Sequence, residues 1–156
     1  MRPRTKVLKV RHNNRKRELA LELTGRGTLT FPYHRCDPPP TRDDPIRELH
    51  VDDELGREGV TYVLASGKEG SVVVDMVLDF HRDPSYMRDL LLHQLTVEAR
   101  RHFEASSTGV RALARRLGTS PAQLYRLLDT TNYSKTVDRM VELLQALDAE
   151  VEVTVR

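Results

Sequence analysis

The hydrophobic pattern of the chain changes its period near residue 80. Before that point, short apolar runs bounded by glycine and polar residues are typical of strands, and "ELALEL" over 18–23 alternates strictly. Beyond it, apolar residues recur every three or four positions, as on one face of a helix. This order predicts the α+β class: an N-terminal antiparallel β-rich domain followed by a helical domain.

Six strands are predicted in the first part of the chain, in one antiparallel sheet with a small core. Between the third and fourth strands, "CDPPPTRDDP" over 36–45 contains four prolines in ten residues and is predicted to be a loop. The predicted strands cover residues 6–10, 18–23, 28–33, 46–51, 60–65 and 71–78.

A helix of about five turns is predicted to follow, with Asp83 as its N-cap and Pro84 at its first position. Three shorter helices come next, and "EVEVTV" over 150–155 alternates like a strand. We therefore expect a β-rich domain of unknown role over 1–80, a connecting helix over 81–107, and a DNA-binding domain with a terminal strand over 108–156.

The remaining composition argues against several classes of protein. A single cysteine, Cys36, excludes an internal disulfide framework. No apolar stretch is long enough for a signal peptide or a membrane span, so we expect a cytoplasmic protein without membrane association. Neither His34 with Cys36 nor the "HRD" at 81–83 has the companions that a zinc site or a kinase requires. We expect a protein that is not an enzyme and that needs no cofactor or metal.

Charge is distributed unevenly along the chain. Residues 1–26 carry nine basic side chains against two acidic ones, and residues 106–139 carry six against two. The stretch between them, 42–58, has seven acidic against three basic residues. Basic segments of this kind attract phosphates without reading sequence, although a solvated surface explains such runs equally well.

Residues 110–129, around "ALARRLGTSPAQLYRLLD", predict two short helices joined by a tight turn. Gly118 ends the first helix in a left-handed conformation. Ser120 caps the second, with Pro121 at its first position and Gln123 placed for a capping box. The positions predicted to be buried are Val110, Leu113, Ala114, Leu117, Leu124, Leu127 and Leu128.

The spacing of Ala114, Gly118 and Leu124, with flanking helices over 95–147 that include "KTVDRMVELLQALD", resembles the helix-turn-helix of the Xre family. These phage-repressor-like DNA-binding proteins include transcriptional regulators and antitoxins. The resemblance covers about a third of the chain and implies a lambda-repressor-like fold. It also implies that the helix over 120–129 enters the major groove of double-stranded DNA.

Carried over to this sequence, the resemblance implies that Gln123 reads adenine and Arg126 reads guanine. Thr119 and Ser120 would contact phosphate at the helix N-terminus. The same helix face would expose Pro121, Ala122 and Tyr125, and the flanking DNA backbone would be held by Arg111, Arg115, Asn132, Tyr133, Ser134 and Lys135.

Several of these residues have plainer alternative roles. Gln123 can complete the capping box, and Arg126 can pair with Asp129 or Asp138. Arg111 and Arg115 can be surface residues with a general electrostatic role. Pro121 and Ala122 replace polar side chains of many relatives, which leaves more of the readout to DNA shape or to contact with a thymine methyl group.

The expected function is sequence-specific DNA binding by a transcriptional repressor. A single recognition helix reads few base pairs, so we expect a homodimer on a two-fold operator. The terminal strand would cover its open edge by pairing with a second copy or by docking on its own β-rich domain. The alternatives are an antitoxin that neutralises a toxin partner and regulates its own operon, or a helix-turn-helix used for protein contacts alone.

Overall fold

Six β-strands precede five α-helices in the computed structural model, which describes residues 4–156. The chain is α+β, as predicted, and its strands come first. Among the described residues, 4–86 form one compact unit and Met87–Arg156 form another. Within the described part of the chain, no helix has both the length and the apolar character needed to cross a membrane.

The strands form two antiparallel sheets of three strands each, in the orders β1-β2-β3 and β4-β5-β6. The prediction of one sheet is wrong, because every strand pairs only with a neighbour that a short turn connects to it, and the proline-rich segment over 36–45 separates β3 from β4. The strands are β1 (Val7–Asn13), β2 (Glu18–Leu23), β3 (Gly27–Pro32), β4 (Ile46–Val51), β5 (Gly59–Leu64) and β6 (Glu69–Val73).

Both sheets contribute side chains to a single core. The alternating leucines of β2 share one face and are buried there, together with Val60, Tyr62 and Leu64 of β5. The proline-rich segment is a loop, as predicted. It is tied to this core because the Tyr62 hydroxyl donates to the Pro38 carbonyl oxygen at 2.7 Å.

The predicted strand over 71–78 is only partly correct. β6 ends at Val73, and a short helix, α1, runs from Val74 to Phe80 and buries Val74, Val77 and Leu78. The error has a simple reason: a short run of valines in a buried segment fits a strand and a helix equally well.

The long helix α2 (Pro84–Ala105) begins where the sequence predicts. The Asp83 carboxylate accepts a hydrogen bond from the backbone N–H of Tyr86 at 2.9 Å. It also forms an ion pair with Arg26, whose guanidinium lowers the pKa of Asp83. Three shorter helices follow: α3 (Val110–Arg116), α4 (Pro121–Leu128) and α5 (Val137–Ala146). Their shared core contains Leu92, Ala99, Leu113, Ala114, Leu124, Leu127, Leu128, Met140, Leu143, Leu144 and Leu147.

The predicted terminal strand over 150–155 is wrong for the single chain. These residues have no regular secondary structure, and all of them are exposed. A strand needs a hydrogen-bonded neighbour, and neither sheet of the described residues includes this segment.

Candidate nucleic-acid interface

The connection between α3 and α4 is a tight turn built around Gly118. This glycine has φ +64°, and its N–H donates to the Arg115 carbonyl oxygen at 3.1 Å. The N–H of Thr119 donates to the Ala114 carbonyl oxygen at 2.9 Å, which completes a Schellman motif. The predicted left-handed helix end at Gly118 is thus confirmed.

The start of α4 also follows the sequence signals. The Ser120 hydroxyl accepts a hydrogen bond from the Gln123 backbone N–H at 3.2 Å, and Pro121 occupies the first turn. The reciprocal half of the capping box is not formed, because within residues 4–156 the Gln123 side chain makes no hydrogen bond. The Gln123 side chain is exposed on α4 and can form hydrogen bonds with a ligand.

α4 has one buried and one exposed face. Leu124, Leu127 and Leu128 are in the core. Pro121, Ala122, Gln123, Tyr125 and Arg126 are exposed, and the Tyr125 side chain keeps 60% of its surface accessible. The tyrosine ring is thus accessible on the same face as Gln123 and Arg126.

Arg126 is the cationic residue of this face. Among the described residues it has no salt-bridge partner, so the alternative pairing with Asp129 or Asp138 does not occur. The Asp129 carboxylate instead accepts from the backbone N–H and the hydroxyl of Thr131, and these hydrogen bonds lower the pKa of Asp129. The Arg126 guanidinium is thus free for an external acceptor.

The loop between α4 and α5 lies beside this face and forms a shallow depression with it. Seven of the residues predicted to bind DNA line the depression, whereas Arg111, Arg115, Ser120, Pro121, Ala122 and Tyr125 are exposed outside it. The lining residues are Thr119, Gln123, Arg126, Leu127, Asp129, Thr131, Asn132, Tyr133, Ser134, Lys135, Thr136 and Arg139.

Lys135, predicted to hold the DNA backbone, is engaged within the chain. Its side chain is buried, and its ammonium donates to the carbonyl oxygens of Leu127 at 2.8 Å and Asp129 at 2.9 Å. These oxygens lie at the C-terminal end of α4, where a cation is favoured by the helix dipole. Burial lowers the pKa of Lys135 to about 8, although the Asp129 carboxylate opposes the change.

Asn132 also serves the loop itself. Its amide donates to the Arg126 carbonyl oxygen at 3.0 Å, and its side-chain oxygen accepts from the Ser134 backbone N–H at 3.0 Å. Both ends of the Asn132 side chain are thereby engaged. Tyr133 is half-buried against the helical core, and Ser134 is the exposed residue of this group.

Three contributors to this region were missed in the sequence. Arg88 of α2 donates to the carbonyl oxygens of Tyr133 at 3.4 Å and Lys135 at 3.1 Å. Arg139 pairs with Glu142 and donates to the Leu117 carbonyl oxygen at 3.3 Å. Thr136 caps α5 by accepting from the Arg139 backbone N–H. Only Thr136 had a sequence signal, a threonine directly before an apolar-periodic run.

Comparisons with models of known protein families, with curated proteins and with solved structures find no match to this chain. What can be inferred about its function comes from the residues of the α3–α4 region and their geometry.

Proposed function

We propose that this protein binds double-stranded DNA in a sequence-specific manner and acts as a dimeric transcriptional repressor. In this proposal, α3 and α4 are a helix-turn-helix of the Xre type, and α4 is the helix that enters the major groove. The observation that carries the proposal is the outward face of α4. It presents the unengaged side chains of Gln123 and Arg126 on a capped helix whose opposite face is anchored by three leucines.

The local geometry supports this assignment. Residues 117–120 separate the two helices, a length typical of a helix-turn-helix, and the turn contains the glycine that such motifs use. Ala114 is buried beside the turn, where a larger side chain would push the helices apart.

The side-chain chemistry supports it as well. An amide can form a bidentate pair with adenine and a guanidinium with guanine. Because the Ser120 hydroxyl accepts only one hydrogen bond, it remains able to donate to a phosphate at the positive end of the α4 dipole. Arg111 and Arg115, exposed on α3, add positive charge that is not neutralised within the described chain.

The test is a fluorescence-polarisation titration with duplex DNA from the region upstream of the protein's own gene, over a series of salt concentrations. Arg126→Ala is expected to weaken specific binding by about 1–3 kcal/mol while the binding of unrelated DNA changes little. Arg101→Ala is the matched control, because it removes one positive charge from an exposed residue of α2. Equal loss in both variants, or no loss in Arg126→Ala, would contradict the assignment of α4.

A further inference from the structure

The last residues of the chain form an exposed segment that leaves α5 in a defined direction. Asp148 has φ +61°, its N–H donates to the Gln145 carbonyl oxygen at 3.0 Å, and the Ala149 N–H donates to the Leu144 carbonyl oxygen at 2.9 Å. These two bonds form a Schellman motif with an aspartate in the place of glycine. Beyond this fixed turn, the side chains of Val153 and Val155 are 85% and 90% exposed.

We propose that residues 150–156 pair antiparallel with the same residues of a second copy of this chain, with Val153 facing Val153 of the other copy on a two-fold axis. The sequence is self-complementary in this register. Glu150 lies opposite Arg156, Val151 opposite Val155, and Glu152 opposite Thr154. All directly opposed valines share one face, and both opposite-charge pairs lie on the other.

Other registers are less favourable. A shift by one residue places valines opposite polar residues and splits the apolar face. Centring the pair on Glu152 sets two carboxylates directly opposite each other, which is destabilising. Centring it on Thr154 keeps an opposite-charge pair, Glu152 with Arg156, but among residues 150–156 it opposes fewer valines, since only Val153 and Val155 then face each other.

The surface beside the segment offers a partial contact for the valine face, because Gln145, Asp148, Glu150 and Glu152 line it together with three apolar residues. A two-stranded ribbon alone is marginally stable in water and needs a further apolar contact. An open depression lies between α5 and the terminal segment, and its apolar lining comes from Val141, Ala149 and Val151. In the proposed register, Val155 of the second copy lies opposite Val151 and therefore next to this depression.

This inference depends on the proposed function only for the biological role of the dimer. The dimer would bring together the two recognition helices that a two-fold operator requires. The pairing itself needs no DNA. We therefore test it on the full chain without DNA, by sedimentation equilibrium and light scattering, so that its failure is distinguishable from failure of DNA binding.

Charge exchange tests the register. Glu150→Arg sets arginine opposite Arg156, and Arg156→Glu sets glutamate opposite Glu150, so each variant is expected to weaken self-association roughly 3- to 30-fold. Mixing the two variants restores both opposite-charge pairs, and the heterodimer is expected to form as tightly as the parent dimer. The double variant, which carries both Glu150→Arg and Arg156→Glu, is expected to self-associate as tightly as the parent chain. If both single variants self-associate like the parent, the register is wrong.

Cysteine cross-linking gives a second, independent measurement, because Cys36 is buried and does not compete. Val153→Cys is expected to form a disulfide-linked dimer under mild oxidation, since directly opposed residues have Cα atoms about 4.5–5.5 Å apart. Val151→Cys is the matched control and is expected to cross-link only when mixed with Val155→Cys. Val153→Lys is expected to give a monomer. A dimer that Val153→Lys leaves intact would overturn the proposal. A monomeric parent chain would also overturn it, and would leave an unlike protein as the partner of the segment.

Discussion

Raising the pH from 8 to 10.5 is expected to stabilise the C-terminal unit through Lys135. Burial lowers the pKa of this lysine from its usual 10.5 to about 8, so the folded chain releases the proton earlier than the unfolded chain does. Within this window the unfolded state binds more protons, and the free energy of unfolding therefore rises with pH. Below pH 8 both states carry the proton, and this contribution becomes constant.

The magnitude follows from the size of the pKa change. A fall from 10.5 to about 8 corresponds to roughly 3 kcal/mol between the two ends of the window. The Lys135 side chain is buried, so this figure needs little reduction for solvent screening. Lys135 is the only lysine between residues 87 and 156, so the signal has no second lysine source in this unit.

The assay is urea unfolding followed by far-ultraviolet circular dichroism at several pH values, for the parent and for Lys135→Met. The difference in free energy of unfolding between the two proteins removes contributions from groups that they share, including Cys36. It is expected to change by roughly 3 kcal/mol across the window in favour of the parent. Lys135→Arg is the control that keeps a cation and does not titrate there. A difference that stays constant with pH would refute the reasoning, as would a Lys135 titration by NMR centred near 10.5.

Three further predictions concern the N-terminal unit and the α3–α4 turn. Gly70→Ala is expected to destabilise the chain by about 3 kcal/mol, because the new Cβ would overlap the Tyr62 ring and the Asp37 carbonyl oxygen. The Cβ of Gly118→Ala would have open space around it, so this change is expected to cost only about 1–2 kcal/mol for the left-handed backbone. Urea unfolding measures both losses of stability, and a larger loss for Gly118→Ala than for Gly70→Ala would contradict this explanation. Cys36 is expected to resist alkylation at pH 8 in the folded protein, because it is buried and burial raises its pKa to about 11. Equal alkylation rates with and without denaturant would contradict that.

The sequence predicts local elements well where two kinds of signal coincide. In β2, strict alternation agrees with flanking turns, and its bounds match the prediction. At α4, Ser120 and Pro121 give the start, and Gly118 ends the helix before it. Such signals are local because caps and turns are built from neighbouring residues.

The remaining features depend on contacts that a single sequence does not reveal. The valine run at the junction of β6 and α1 has no hydrophobic period that distinguishes a strand from a helix. The division into two sheets depends on long-range pairing. Lys135 looks like a surface cation in the sequence, and only the position of the Leu127 and Asp129 carbonyl oxygens shows why it is buried.

Arg88 and Lys135 together occupy four backbone carbonyl oxygens around the loop between α4 and α5, those of Leu127, Asp129, Tyr133 and Lys135 itself. Carbonyl oxygens carry partial negative charge and repel an approaching polyanion. Here the side chains of Arg88, which also pairs with Asp89, and of Lys135 already engage these oxygens within the chain. The two side chains thus tie the loop to α2 and to the end of α4. In the proposed complex with DNA, these oxygens would repel the phosphate backbone less than free carbonyl oxygens would.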